Sequence, residues 1–213
     1  MRELLTPDEL ERADRVKSKR HGKWFTIVRS ELRMFLSAIL NVNPLDIKLA
    51  YGPHGKPRLA GQPAGRALHF NVSHTDSMAL IAAAWDREVG VDIEALRPWE
   101  ASARVAERFF SARENRDLAA IPEDDRLHAF FACWTRKEAF VKALGGGLTI
   151  PLKRFSVSVA PGEPARLLEM QSAPEAVDAW KLLDLPVPPP YIACLCAQGH
   201  DWKLVYNEGS RLR

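Results

Sequence analysis

Asp92 and Glu94 stand two residues apart in the run Val89-Gly90-Val91-Asp92-Ile93-Glu94. Side chains alternate along a strand, so the two carboxylates share one face while Val91 and Ile93 share the other. Carboxylates held side by side repel and raise each other's pKa unless a cation lies between them. Oxygen ligands of this kind suit Mg2+, which takes a few carboxylates and completes its shell with water and phosphate. Many Asp-x-Glu pairs simply face solvent, so the pattern needs company. Glu138 and Lys142 lie one helical turn apart in Trp134-Thr135-Arg136-Lys137-Glu138-Ala139-Phe140-Val141-Lys142. Alone they read as an i,i+4 ion pair worth about 0.2–0.5 kcal/mol. Beside Asp92 and Glu94, Glu138 becomes a third metal ligand and Lys142 a phosphate ligand.

Anion donors are also present. Leu68-His69-Phe70-Asn71-Val72-Ser73-His74 reads as a strand that breaks at Thr75-Asp76-Ser77. Ser73 and His74 at its end could donate to phosphate oxygens, or could hydrogen-bond their own turn. Lys56 lies between Gly55 and Pro57, in a constrained turn that displays its side chain. Arg12, Arg15, Lys17, Lys19, Arg20 and Lys23 form a basic cluster. Such a cluster is either a solvated face or a site for phosphate or an acidic protein.

The elements that must position these residues are legible from periodicity. Thr6-Pro7-Asp8-Glu9 is a helix start with a capping box, and a second helix spans about 23–40 with Trp24, Ile27, Val28, Leu32, Phe35, Leu36 and Ile39 inward. Short strands are expected at 47–51 and after the Gly52–Pro57 turn. Met78–Trp85 reads as a buried strand, turned at Asp86-Arg87-Glu88 into the return strand 89–94, a hairpin. Helices follow from Pro98 to Phe110 and from Ser111, a second capping box, to about Ala120. The central helix opens on Pro122-Glu123-Asp124-Asp125 and ends at Gly145-Gly146-Gly147. Its Leu127, Phe130, Phe131, Trp134, Val141 and Leu144 should form one buried face. Strands are then expected at 155–159, 166–170, 180–184, 191–197 and 202–206, with the Pro-rich 186–190 segment a stiff connection.

Composition bounds the rest. The chain has 213 residues, 46% hydrophobic and 27% charged, with net charge +3. That is a globular composition whose mild basicity favours anionic partners. The three cysteines, Cys133, Cys194 and Cys196, show no disulfide or metal-ligand spacing and read as buried thiols of a reducing cytoplasm. The N-terminus has no apolar signal core, and no apolar run is long enough to span a bilayer.

Four stretches, Gly55-Lys56-Pro57, Phe70-Asn71-Val72-Ser73-His74, Gly90-Val91-Asp92-Ile93-Glu94 and Trp134 to Ala143 with its glycines and Leu148, occur in this order. Together they closely resemble the Sfp-type 4′-phosphopantetheinyl transferases. Arg108-Phe109-Phe110-Ser111 and Pro151-Leu152-Lys153-Arg154-Phe155-Ser156-Val157 look like that family too. The resemblance is good over about 50–160 and looser elsewhere. It implies an α+β fold of two pseudo-twofold-related α+β halves, here 1–88 and 89–213, with the active site in the cleft between them. It also implies a monomer, coenzyme A as donor, Mg2+ or Mn2+, and an apo acyl or peptidyl carrier protein whose serine receives the phosphopantetheine arm. Adenosine 3′,5′-bisphosphate leaves.

Carried over by position, the resemblance gives Asp92, Glu94 and Glu138 to the metal, and Lys142 and His74 to phosphate charge. Ser73 and His74 fall on the 3′-phosphate side and Lys56 at the adenine end. Glu138 is the candidate base, directly or through a metal-bound water. Arg12 and Arg15 are the possible N-terminal phosphate contacts, while Glu9 and Phe25 stand where a lysine and a threonine are expected. The glycine run carries no lysine where some members have one. Two rivals remain open: another Mg2+-dependent phosphoryl-transfer enzyme, and a nucleic-acid-binding module using the basic cluster.

Overall fold

The computed structural model describes residues 1–75 and 78–207, without the side chain of Leu148. Two 22-residue helices organise it: α2 (Lys19–Leu40) and α5 (Glu123–Leu144). Each is followed by a small hairpin and then a longer one. After α2 come β1 (Leu49–Tyr51) with β2 (Pro57–Leu59), then β3 (Leu68–Thr75) with β4 (Met78–Trp85). After α5 come β6 (Phe155–Val157) with β7 (Leu167–Met170), then β8 (Trp180–Asp184) with β9 (Tyr191–Gln198). All pairings are antiparallel. The molecule is thus α+β, with the same order of hairpins after each long helix. The expected strand break at 76–77 lies outside the described residues.

Helix starts follow local chemistry. Thr6 and Glu9 close a capping box on α1 (Pro7–Arg15), and Ser111 and Glu114 close another on α4 (Ala112–Ala120). Ser18 caps α2, accepting from the His21 N–H, so this helix begins four residues before its apolar stripe suggests. The helix expected from Pro98 begins only at Ser102, as α3 (Ser102–Phe109). Gly145, at φ 73°, ends α5 in the left-handed conformation.

Burial of α5 differs from the expected single face. Phe130, Phe131 and Val141 are buried, but so are Thr135, Arg136 and Lys137, and Leu144 is 40% exposed. The helix is enclosed on most sides because its charged residues bring their own partners. Arg136 donates to Asp184 and to the Ser158 carbonyl. Lys137, fully buried, donates to both oxygens of buried Glu114 at 2.7 Å and to the Phe155 carbonyl.

The expected hairpin of residues 78–94 does not form. β4 pairs with β3, whereas β5 (Val89–Ala95) pairs with β9 in the order β5-β9-β8. The Asp86 turn, at φ 55°, passes the chain from one sheet to the other. As an edge strand β4 is half-buried along its length, not buried. Leu80, Ala82 and Ala84 pack on Val89, Val91, Leu195 and Ala197, while Ile81, Ala83 and Trp85 join the core beneath α2. Residues 202–206 form no strand: β9 already has a partner on each side, and Val205 is 80% exposed. Among the described residues no helix is long and apolar enough to cross a membrane.

β5 meets α5 backbone to backbone at Gly90. A Cβ there would lie 2.1 Å from the Ala139 carbonyl oxygen and 2.3 Å from the Ala143 nitrogen. Only a residue without a side chain fits, and only small residues fit opposite it. Gly90→Ala is expected to destabilise the chain by about 3 kcal/mol or more, since neither neighbour is a flexible side chain that can yield. Gly61→Ala, with open space around it, is expected to change stability by no more than about 0.5 kcal/mol. Urea unfolding midpoints of the two variants check the contrast.

Candidate active site

Two residues beyond Gly90, on the same face of β5, Asp92 meets α5 one turn after Glu138. Asp92 is 4% exposed. Its Oδ1 accepts from the Lys142 ammonium at 2.5 Å and from the Ser73 hydroxyl at 2.9 Å, and Lys142 also donates to the Ser73 oxygen at 2.8 Å. β3 is tied to the same strand two residues earlier, where the Val91 N–H donates to Asn71 Oδ1. The i,i+4 pair of Glu138 and Lys142 is therefore not what forms: Lys142 crosses to the strand.

Asp92 Oδ2 is buried and has no hydrogen-bond partner among the described residues. An orphaned carboxylate oxygen of this depth is costly, and it marks a position suited to a cation. The electrostatics agree. Burial pushes the Asp92 carboxyl up, against the pull of Lys142 and Ser73. Burial likewise raises Glu138, and Asp92 raises it further against Lys142. Glu94 is raised by burial, then by Asp92, with Lys142 and Arg97 opposing and Glu138 adding to the rise. Glu94 therefore senses both other carboxylates and Glu138 senses Asp92, and hard oxygen donors in this state fit a divalent metal. They are not drawn into one coordination sphere here: among the described residues no three His, Cys, Asp or Glu side chains stand together as a metal cluster. The Lys142 ammonium supplies the local positive charge.

Ser73 and His74 diverge, as neighbours on a strand must. Ser73 is buried against Asp92 and Lys142, so its hydroxyl is already engaged. His74 points toward α2, edge-on to Trp24 at 6.4 Å between centroids. Burial lowers its pKa, and Lys142 and His21 lower it further, so it is a poorer cation near neutral pH than a free histidine. Lys56 is no displayed turn residue. Its ammonium donates to Glu88, to the Val89 carbonyl and to the Ala143 carbonyl near the end of α5, tying the β1–β2 turn to the start of β5. Arg15 is exposed and paired with Glu11, whereas Arg12 lies over the Phe25 and Tyr51 rings.

Asn71 and Gly90 hold the site together and were not among the expected residues. Gly90 carries a readable signal, since a lone glycine inside an apolar strand often marks close backbone approach. Asn71 carries none beyond being polar in an apolar run.

Replacing Lys142 by methionine is expected to cost about 3 kcal/mol at pH 8, because it leaves a buried carboxylate without its counter-ion. The loss is expected to shrink at pH 5. The folded-state pKa of Asp92 is raised, so its protonated form is favoured in the folded chain as pH falls toward that value, which removes the uncompensated charge. Urea unfolding of both chains at the two pH values checks the magnitude and its sign.

Comparison with known proteins gives the same direction throughout. The family model described as 4'-phosphopantetheinyl transferase superfamily matches residues 88–196, and that described as 4'-phosphopantetheinyl transferase, N-terminal, matches residues 1–86. The chain is 38% identical over 199 residues to the 4'-phosphopantetheinyl transferase HetI of Nostoc sp., spanning 93% of this chain and 81% of that protein. It is 32% identical over 154 residues to the 4'-phosphopantetheinyl transferase Sfp of Bacillus subtilis, spanning 72% and 66%. To the 4'-phosphopantetheinyl transferase AcpT of Salmonella typhimurium it is 38% identical over 114 residues, spanning 54% and 56%. Matched in this way along nearly its whole length, the chain belongs to the 4′-phosphopantetheinyl transferase superfamily and is an enzyme of that class.

Proposed function

We propose that the chain transfers the 4′-phosphopantetheine arm of coenzyme A to a serine of an apo acyl or peptidyl carrier protein, in the presence of Mg2+, and releases adenosine 3′,5′-bisphosphate. The observation that carries this reading is the convergence of Asp92, Lys142 and Ser73 beside Glu138, with one buried oxygen of Asp92 left without a partner. Asp92, Glu94 and Glu138 would hold the metal. When bound, the ion would supply Lewis-acid polarisation of the pyrophosphate.

The chain's own groups do the rest. The carrier serine Oγ attacks the β-phosphorus of coenzyme A, and the bond from that phosphorus to the bridging oxygen breaks. Glu138, its carboxylate basicity raised by burial and by Asp92, takes the serine proton. Lys142 brings its ammonium to the phosphate charge that builds on the departing group. His74, Arg12 and Arg15 add to the phosphate side, and Lys56 stands at the adenine end. Ser73 orients Lys142 and Asp92 in addition to its role toward the nucleotide. In this reading residues 1–88 supply coenzyme A contacts and residues 89–213 the carboxylates and the central helix. The chain acts as a monomer in the cytoplasm. The three cysteines, all free and buried, support a reducing compartment.

The test is the intact mass of an apo carrier protein after incubation with the chain, coenzyme A and Mg2+. A gain matching phosphopantetheine is expected. Glu138→Ala is expected to slow that gain by about 10²–10⁴, the range general-base removal commonly costs. No gain on several unrelated carriers, together with no coenzyme A binding, would sink the reading.

A further inference from the structure

A second polar cleft lies between α4 and the β6–β7 hairpin. Its volume is about 180 Å³, and its charged lining is Arg113, Arg116, Lys153, Arg154 and Glu169. Pockets for drug-sized ligands run to about 300–1,000 Å³, so this cleft has room for one small group only. None of its lining residues belongs to the Asp92 site. The buried hydroxyls of Ser111 and Ser156 also line it, hydrogen-bonded to each other at 2.8 Å.

Four cations thus face one carboxylate. Glu169 accepts from Arg113 Nη1 at 2.6 Å and from the Ser156 hydroxyl at 3.3 Å. Asp117, which does not line the cleft, lies 3.9 Å from Arg113 Nε, and Glu163 is paired with Arg166. Glu169 and Asp117 therefore both serve Arg113. Arg116, Lys153 and Arg154 make no side-chain hydrogen bond or ion pair among the described residues. The cleft already favours an anion: the Arg113 hydrogen bond holds the Glu169 carboxyl below its usual range, and the charge of Arg116 adds to the pull.

The placement of these cations runs against local preference. Arg113 is the second residue of α4, in the first turn, where the helix dipole favours acids. Arg116 stands three residues on, so two like charges share one face of the helix. Lys153 and Arg154 bring two more from the turn before β6. A solvated face gains from interleaved acids, whereas cations gathered around a concavity raise the local anion concentration. Three guanidinium forks and an ammonium match a phosphate group, whose several oxygens accept from more than one fork at once.

We propose that this cleft is a second ligand site, for a phosphate dianion, either inorganic phosphate or the phosphate of a small phosphomonoester. Arg116, Lys153 and Arg154 hold it, with Arg113 shared between the ligand and Glu169. The bound anion bridges α4 to the start of the β6–β7 hairpin. The site is independent of the coenzyme A reading.

The experiment follows the backbone amide resonances of the isotope-labelled full chain at fixed ionic strength while inorganic phosphate replaces chloride. Glycerol 3-phosphate is titrated in parallel. Saturable shifts are expected at Arg113, Arg154, Ser156 and Gln171. Combining Arg116→Gln with Arg154→Gln is expected to weaken binding about tenfold or more, since charge-assisted bonds to phosphate are the strong ones. Both side chains are exposed, so the fold is expected to persist. Lys153→Gln alone, with a smaller expected loss, serves if it does not. Tighter binding of glycerol 3-phosphate assigns the site to a phosphomonoester, and equal or weaker binding assigns it to the free ion. Shifts that climb without saturating, that fall outside the cleft, or that keep the same affinity in the folded variant would overturn the proposal.

Discussion

The approach of β5 to α5 at Gly90 is the constraint on which the site depends. A strand and a helix normally keep a layer of side chains between them. Here the strand backbone touches the helix backbone at Ala139 and Ala143. Asp92, two residues further on the same face, is thereby brought within reach of Lys142. The rotation of α5 about its own axis must be fixed for this to work, and two consecutive residues fix it. Arg136 is bound to Asp184 and the Ser158 carbonyl, and Lys137 to Glu114 and the Phe155 carbonyl. With those two directions taken, Glu138 has only one way to face.

Electrostatically the site is a set of carboxylates held at some cost. Burial raises all three, and their mutual repulsion raises Glu94 and Glu138 further. One partly buried ammonium, shared with a serine hydroxyl, makes the arrangement tolerable. Lys142 is thus a structural counter-ion as well as a candidate phosphate ligand. The same logic runs through the N-terminal helices, where Glu9 neutralises two arginines and leaves one of them with an unmet donor.

Much of this was readable in the sequence because local rules set it. The capping boxes at Thr6 and Ser111, the glycine stop at Gly145 and the alternation that put Asp92 and Glu94 on one face each rest on a few neighbouring residues. What was not readable depends on partners distant in the chain. The apolar runs on either side of Asp86 look like a hairpin, yet their ladders go to β3 and β9, because strand pairing is settled by burial across the whole molecule. The apolar alternation at 202–206 pairs with no strand, since the neighbouring β9 is already flanked by β5 and β8. Lys137 and Arg136 look like a solvent face of α5 until Glu114 and Asp184 are placed beside them. Lys56 looks displayed until the end of α5 arrives above it. The residue types of the site were legible, whereas its wiring was not.

Ser73 and Asn71 come from a strand of the first half, while Asp92 and Lys142 belong to the second. The carboxylate at the heart of the site is thus held partly by a hydroxyl from the other side of the molecule. Neither half expressed as a separate fragment would carry a complete set of contacts around Asp92. Fragment complementation would restore the polar junction and the apolar seam of Leu80, Ala82 and Ala84 in a single event. The geometry around Asp92 is therefore a direct report of how β3 and β4 sit against β5 and α5.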